Sequence, residues 1–283
     1  MMSRSYSVLH IALLISGALV SAFVFSDQAV AEDLFPDKAL EAAVRQQVFA
    51  KRNNDEPLTK DDVKKISLVE SKGKGIKSLE GLQHCVAIQQ IDLEGNEIKD
   101  LGPIAELTLV QTINVAGNQI ESIEPLKKLE RLQYLELSGN KVKDLAPLEK
   151  LANMRSLYLS NNQIEDVAVL AKLKKVWSLY LAGNPVKDFG PIGEMPWVDT
   201  LDLEGCKVKD LAFLKSLTEL KYLNLRENQI DDLAVLLEMA KGDKERRFSP
   251  FWRIYLKGNP LENDKATGQL DELKEMGARI VME

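Results

Sequence analysis

The chain has 283 residues and is acidic, with 37 Lys and Arg against 43 Asp and Glu, a formal net charge of −6. Such a balance disfavours nucleic acid as a partner, because phosphate backbones are bound by surplus Lys and Arg. The sequence contains no metal-ligand cluster, Gly-rich phosphate loop or nucleophile elbow. We therefore expect no metal and no cofactor, and catalysis is the least favoured function class.

Residues 1–31 have the features of a cleavable secretory signal. Arg4 and His10 are followed by an apolar run, Ile11–Phe25. Ala29-Val30-Ala31 then supplies the small-x-small pattern that signal peptidases cleave. The alternative is an uncleaved anchor, but an apolar run of 15 residues is shorter than the roughly 20 needed to cross a bilayer. We expect a secreted or periplasmic protein that is not inserted in a membrane after cleavage.

Residues 32–65 are predicted to form an N-terminal helical cap. Asp37 opens an amphipathic helix, and a second short helix begins near Thr59 and carries Val63. The first helix has apolar residues at helical spacing, namely Leu40, Val44 and Val48. A cap of this kind would cover the apolar end of a repeat array.

Residues 66–258 are built on a 22-residue period, in which an asparagine closes most turns; Lys74 takes its place in a degenerate first turn and Cys206 in a later one. The asparagines are Asn96, Asn118, Asn140, Asn162, Asn184 and Asn228. Each closes an L-x-x-L-x-L-x-x-N frame, as from Leu132 to Asn140, which is typical of a leucine-rich repeat solenoid. We predict an α/β horseshoe of about nine turns with a parallel concave sheet, short 3₁₀ or helical convex segments, and an insertion near residues 238–250.

The repeated polar residues have predicted structural roles. Each ladder asparagine should bond backbone groups of neighbouring turns. Residues such as Asp144 and Ser122 should accept hydrogen bonds from the N–H groups that open the convex segments. Cys85 and Cys206 belong to turns about five and a half repeats apart, roughly 25 Å, which is too far for a disulfide. We expect two buried thiols.

Residues 259–283 are predicted to form a C-terminal cap. A helix is expected from Asp264 to Met276 with Leu270 and Leu273 facing inward, followed by the apolar pair Ile280 and Val281. The C-terminal cap therefore combines a helix with a strand.

Three segments resemble the cap and first repeat of bacterial internalin-like proteins: FPDKALEAAVR at 35–45, Leu58-Thr59, and SKGKGI at 71–76. With the 22-residue repeats, the resemblance covers nearly all of the chain after residue 31. The resemblance implies an exported leucine-rich repeat protein that binds another protein with its concave face. Many internalins carry a sortase signal or basic anchoring modules after the repeats, and no such segment follows here, so host adhesion is not implied.

The variable strand positions face out of the concave sheet and include every tyrosine after residue 31. Tyr158 and Tyr180 should be neighbours about 4.8 Å apart with Tyr134 on the diagonal. Trp177 either extends this patch or packs at the strand edge. The predicted partner-binding residues are Tyr134, Glu136, Tyr158, Trp177, Tyr180, Asp202, Glu204, Tyr222, Arg226, Arg253 and Tyr255.

The sequence favours a monomeric, non-catalytic module that binds a partner protein or peptide through this face. Glycan binding is the main alternative, because aromatic rings beside acids and amides also suit sugars, and a scaffold subunit of the cell envelope is the next. The insertion adds a basic group, interpreted as a solvated loop in preference to a second contact: Lys241, Lys244, Arg246 and Arg247.

Overall fold

The structure is a computed structural model that describes residues 33–246 and 249–282, so the predicted signal segment lies outside the described residues. Within them, ten short parallel strands form one sheet in chain order. The strands are β1 Leu68–Glu70, β2 Gln90–Asp92, β3 Thr112–Asn114, β4 Tyr134–Glu136, β5 Ser156–Tyr158, β6 Ser178–Tyr180, β7 Thr200–Asp202, β8 Tyr222–Asn224, β9 Arg253–Tyr255 and β10 Arg279–Val281. None of the described helices is long and apolar enough to span a bilayer.

The strand register follows the repeat period. Leu157 of β5 pairs with Leu179 of β6, which is 22 residues later, and the same offset holds from β1 to β8. The central residue of each repeat strand is fully buried, as at Leu157, while its two neighbours in the strand face the concave surface. The predicted parallel concave sheet and its register are confirmed.

The convex side consists mainly of 3₁₀ segments, as predicted. These are Leu82–His84, Gly102–Ile104, Glu124–Lys128, Ala146–Leu148, Ala168–Lys172, Gly190–Glu194, Ala212–Ser216 and Ser249–Phe251. Asp144 Oδ1 accepts from the Ala146 N–H at 2.8 Å, and Ser122 Oγ accepts from the Glu124 N–H at 3.3 Å. The acidic and hydroxyl residues at these entries therefore have the predicted structural role.

The turn that carries the insertion differs from the expectation of a loop. Its convex segment is a helix, α3, over Ala234–Gly242, with Leu236 and Leu237 buried. Lys241 lies in this helix and forms an ion pair of 2.7 Å with Glu272. The added residues extend the usual 3₁₀ turn into an α-helix, because apolar residues recur there at helical spacing. Arg247 lies outside the described residues.

The ladder asparagines connect successive turns as predicted. Asn140 Nδ2 donates to the carbonyls of Val115 and Leu137, both at 2.9 Å, and its Oδ1 accepts from the Ile120 N–H at 3.0 Å. Asn140 is buried, so backbone groups that neither sheet nor helix pairs are satisfied inside the protein. Cys206 keeps a weaker version of this link, with Sγ 3.2 Å from the Leu181 carbonyl oxygen.

Both cysteines are free and buried, as the register predicts. Burial raises the pKa of Cys85 to about 12 and is also the largest cause of the rise of the Cys206 pKa to about 11. His84 lies beside Cys85 in a convex 3₁₀ segment. Thiols with such pKa values are protonated at neutral pH and are poor nucleophiles.

The N-terminal end is covered by two helices, α1 over Lys38–Gln47 and α2 over Lys60–Val63. Asp37 caps α1, and its Oδ2 also accepts from the Lys77 and Ser78 N–H groups of the first turn at 2.7 and 3.1 Å. Gly81 has a φ of +103°, and a Cβ there would lie 2.3 Å from the Leu34 carbonyl oxygen. Only glycine allows the segment before α1 to lie this close to the first turn.

The C-terminal end is covered by helix α4 over Asp264–Glu275 and by β10, which extends the sheet beside β9. Gln269 of α4 donates to Asp232 Oδ1 at 2.6 Å and accepts from the Leu233 N–H at 2.8 Å. Lys265 forms an ion pair of 2.6 Å with Asp232. These bonds attach α4 to the convex segment of the last repeat.

Candidate functional site

The repeat register places four of the predicted site residues in one row on the concave face. Glu136 pairs with Tyr158, Tyr158 with Tyr180, and Tyr180 with Asp202, on the successive strands β4 to β7. We call this row, together with Tyr134 two positions before Glu136, the tyrosine stripe. It consists of three aromatic side chains with a carboxylate at each end.

The three tyrosines of the stripe contact one another. The rings of Tyr158 and Tyr180 are stacked, with centroids 4.6 Å apart and planes at 15°. The ring of Tyr134 is tilted by 42° against Tyr158 at 5.2 Å. Burial is the first cause of raised pKa values in all three, and with the nearby charge of Glu136 it raises that of Tyr134 to about 12. The hydroxyls are therefore neutral hydrogen-bonding groups at physiological pH.

The two carboxylates of the stripe have similar surroundings. Glu136 Oε1 accepts from the Ser138 N–H at 2.7 Å, and Asp202 Oδ1 accepts from the Glu204 N–H at 3.0 Å. Burial is the largest cause of a raised pKa for both groups. Within the described residues neither carboxylate forms an ion pair, although Arg226 lies near enough to lower the pKa of Asp202 somewhat. Their negative charge is only partly compensated within the protein.

A second aromatic group lies nearer the C-terminal end of the sheet. The rings of Tyr222 and Tyr255 have centroids 5.1 Å apart, and the Arg226 guanidinium lies 4.4 Å from the centre of the Tyr255 ring. Arg253 is exposed at the start of β9 beside Tyr222. The concave tyrosines therefore form two groups, one on each side of Asp202.

Trp177 lies at the strand edge and also contacts the concave face. Its indole Nε1 donates to Ser156 Oγ at 3.0 Å, and the Arg155 guanidinium lies 5.6 Å from its ring centre. The side chain remains 45% exposed. These contacts support packing at the strand edge, and a contribution of Trp177 to the binding patch stays a prediction.

The acids nearer the N-terminus differ from those of the stripe. Lys72 forms ion pairs with Asp92 at 2.9 Å and with Glu94 at 3.1 Å, and Asn114 Nδ2 also donates to Glu94 at 3.2 Å. One lysine therefore offsets part of the charge of both acids. The sequence carried the signal for the Lys72–Glu94 pair, since opposite charges 22 residues apart fall on adjacent strands.

Trp197 is an exposed aromatic residue that the sequence interpretation missed. It is 61% exposed in the segment that precedes β7 and lies three positions before the strand. The interpretation considered only positions that face the concave sheet. A search of the segments entering each strand for large apolar residues would have found it.

A cleft on the convex side lies apart from the stripe. It is lined by residues between the 3₁₀ segment Ala212–Ser216 and α3, among them Lys215, Glu238 and Asp243. Lys215 and Glu238 form an ion pair of 2.6 Å across it. Within the described residues, no group of three or more His, Cys, Asp or Glu side chains is arranged to hold a metal ion.

A family model described as Leucine Rich repeats (2 copies) matches this chain. It matches residues 108–150, 130–172 and 196–238. These ranges contain the whole tyrosine stripe except Tyr180. No match is found among curated proteins.

Solved structures provide further similarities. Internalin C2 from Listeria monocytogenes is 28% identical, with a TM-score of 0.71 over 79% of this chain and 95% of that one. A leucine-rich repeat protein of Leptospira interrogans is 20% identical (TM-score 0.61, over 72% of this chain and 57% of that one), and the functional domain of InlJ from Listeria monocytogenes is 15% identical (TM-score 0.57, over 82% and 52%). The last two show a common fold alone.

Proposed function

Because the chain is an internalin-like leucine-rich repeat protein, we propose that it is an exported, non-catalytic module that binds a partner protein or peptide with the tyrosine stripe. Leucine-rich repeat proteins are generally protein-binding scaffolds, and their fold is typically non-catalytic. The proposal is narrower than this general property, since it assigns a face, a set of residues and a class of ligand.

The observation that carries the proposal is the contact of Tyr134, Tyr158 and Tyr180 on the open side of the sheet. The core beneath them is complete without them, because Leu157 and Leu179 fill the interior positions of the same strands. Tyrosine joins apolar area to a hydroxyl and is enriched at binding hot spots. A contiguous aromatic surface that the fold does not require supports a role in recognition.

The ring geometry favours a polypeptide ligand over a glycan. A sugar stacks on the open face of an aromatic ring, but Tyr158 has Tyr180 against one face and Tyr134 tilted against it as well. A ring packed against its neighbours in this way offers a ligand more of its edge than of its faces. Ring edges and the tyrosine hydroxyls suit apolar side chains and backbone amide groups of a peptide.

Export is the second part of the proposal, and the sequence of residues 1–31 supports it. Expression of the full chain in a bacterial host, followed by mass spectrometry of the intact product, is the direct measurement. We expect a mature N-terminus at Glu32. A product that keeps Met1 and stays in the cytoplasm would remove this part of the proposal and leave the binding part standing.

The binding experiment is a selection from a displayed random-peptide library, performed with the full chain and with a Tyr158→Ala/Tyr180→Ala variant. Peptides that the parent enriches are then titrated against both proteins. We expect the double variant to bind them more weakly by about 2–4 kcal/mol, which is the usual loss for two aromatic hot-spot residues. Circular dichroism confirms that the variant is folded.

Two controls make the result specific. Trp197→Ala removes an exposed aromatic residue that lies off the concave sheet, and Lys143→Ala removes an exposed residue of the loop that leads to a convex segment. Both should bind the selected peptides as the parent does. Equal binding by the parent and the double tyrosine variant would show that the stripe is not the site.

A further inference from the structure

The two carboxylates of the tyrosine stripe define the charge and spacing of a ligand, an inference that rests on the proposed function and narrows it. Among the other concave acids, Asp92 and Glu94 share one cation, Lys72, and Glu204 accepts a hydrogen bond of 2.9 Å from Asn224 Nδ2. Glu136 and Asp202 lie on the same face, yet within the described residues neither forms an ion pair with a cation. Acids without an ion-pair partner therefore flank the tyrosines, where a ligand would lie.

Each carboxylate has one oxygen bound to a backbone N–H two residues later, from Ser138 and Glu204. This bond orders the carboxylate but leaves its charge in place. Burial raises the pKa of both groups, so each is held in surroundings that penalise an isolated negative charge. A cation brought by a ligand would relieve that penalty, since a charge-assisted hydrogen bond is stronger than a neutral one.

The distance between the carboxylates follows from the sheet. Glu136 is on β4 and Asp202 on β7, and successive strands pair in register between them. Three strand spacings amount to about 14 Å. An extended peptide advances about 3.4 Å per residue, so it covers the same distance in about four residues.

The alternation of an extended chain adds a second constraint. Residues i, i+2 and i+4 of such a chain point to the same side. If residues i and i+4 face Glu136 and Asp202, residue i+2 faces the midpoint of the row, where Tyr158 and Tyr180 are stacked. That position suits an apolar side chain in contact with aromatic rings.

We propose that the tyrosine stripe binds an extended peptide segment of the form basic-x-apolar-x-basic, running across the strands with one basic side chain on Glu136 and the other on Asp202. The apolar residue between them lies on the Tyr158–Tyr180 pair. Arginine and lysine both fit the end positions, because each extends a cation beyond an aliphatic stem that can lie along a tyrosine ring.

The test uses three synthetic peptides with blocked ends and the full chain as the protein. The first is Gly-Arg-Ser-Leu-Ser-Arg-Gly, the second is Gly-Ser-Arg-Arg-Leu-Ser-Gly with the same composition, and the third replaces both arginines of the first by glutamate. Calorimetric titration should give the tightest binding for the first, about tenfold weaker binding for the second, and none for the third. A tenfold difference corresponds to the loss of one charge-assisted bond.

The matching protein variants are Glu136→Gln and Asp202→Asn, which keep the shape of the side chains and remove the charges. Each should weaken binding of the first peptide by about tenfold or more and leave the second peptide less affected. Glu70→Gln is the control, since Glu70 occupies the same column on β1, three strands before Glu136. Circular dichroism verifies the fold of each variant.

A charge reversal at one end provides a gain-of-binding test. Glu136→Lys should reject the first peptide and accept one of the two peptides in which a single arginine is replaced by glutamate. Which of the two binds reports the direction of the peptide across the sheet. Rejection of both would contradict the proposed pairing.

The outcomes separate this inference from the proposed function. Equal binding of the first two peptides, or no effect of Glu136→Gln and Asp202→Asn, would overturn the spacing. Enrichment of neutral or acidic peptides, or titration of a neutral oligosaccharide that depends on Tyr158 and Tyr180, would overturn the basic ligand while leaving the stripe as a binding site. Selected ligands that bind independently of both tyrosines would overturn the proposed function itself.

Discussion

The inner ladder and the concave face use the same repeat frame in different ways. In the ladder, Asn140 and Asn162 both donate to a carbonyl of the preceding turn and accept from a backbone N–H of that turn. On the concave face, the residues at one column of three successive strands are Asn114, Glu136 and Tyr158. The difference indicates where to look for each role: residues that recur at the period serve the fold, and residues that depart from it are free to serve a ligand.

The largest expected effect on stability comes from the ladder. Asn140→Ala removes one of two side-chain donors from the buried carbonyls of Val115 and Leu137, and it leaves the buried Ile120 N–H without its side-chain acceptor. Loss of buried hydrogen bonds of this kind costs about 1–3 kcal/mol. Urea denaturation followed by circular dichroism measures the change.

The control for this prediction is Ser160→Ala, a substitution of a partly exposed concave residue in the next repeat. Its effect should remain within about 0.5 kcal/mol, as for most surface substitutions. Equal destabilisation by both substitutions would remove the distinction between ladder and face.

The ladder and the concave face also differ in how much of their structure the sequence predicts. Strand register, convex 3₁₀ segments and the bonds of residues such as Asn140 follow from the 22-residue period, because the same local geometry is repeated in each turn. The α-helix at Ala234–Gly242 was not predicted, since one long turn offers no repeat for comparison. The pairing of Lys72 with two acids and the bond from Trp177 to Ser156 depend on side-chain conformations, which a column of residue types does not determine.

At the ends of the solenoid a turn has no further repeat beside it, so cap contacts take the place of the ladder. Asp232 bonds Lys265 and Gln269 of α4, and these bonds lower its pKa from 3.8 to about 2. Because the folded pKa is lowered, its contribution to stability is complete above the ordinary value and is lost as the pH falls through about 2. The side chain is 41% exposed, so we discount the shift for screening to about 1 kcal/mol.

Denaturation of the parent and of Asp232→Asn between about pH 5 and 2 measures this contribution. The parent should lose its advantage over the variant as the pH falls through this window. A constant difference between the two curves would mean that the charge of Asp232 does not hold α4, and that its hydrogen bonds with Gln269 and Ala234 are sufficient.

Replacement of Cys206, which interrupts the run of asparagines from Asn96 to Asn228, should have a smaller effect of opposite sign. Cys206 offers only a sulfur to the Leu181 carbonyl oxygen, whereas an asparagine would add an acceptor and a second donor. Cys206→Asn should therefore stabilise the protein by about 0.5–1.5 kcal/mol, the net value of a hydrogen bond. Thermal denaturation of the parent and variant measures the change.

The control is Asn184→Cys, which makes the same change in reverse and should destabilise. Pro185 follows Asn184 in the turn that faces Cys206 and has no N–H to donate. If Cys206→Asn fails to stabilise while Asn184→Cys destabilises, the altered backbone beside Pro185 is the reason for the cysteine.

The last prediction is that a reducing agent has no effect on stability. Since both cysteines are free and buried, the melting temperature should be the same with and without a reducing agent. Mass spectrometry of protein denatured without reductant should find two alkylated thiols. A reductant-sensitive melting temperature, or a Cys85–Cys206 bond, would contradict the repeat register.

The constant offset of 22 residues between paired strands has a consequence for how such a protein changes over evolution. Duplication of one complete unit between Glu136 and Asp202 would preserve the ladder and the core, because the new turn repeats the contacts of its neighbours. It would also separate the two carboxylates by one more strand spacing, about 4.8 Å. The length of ligand that fits between them can therefore change in discrete steps, by gene duplication alone, without any redesign of the fold.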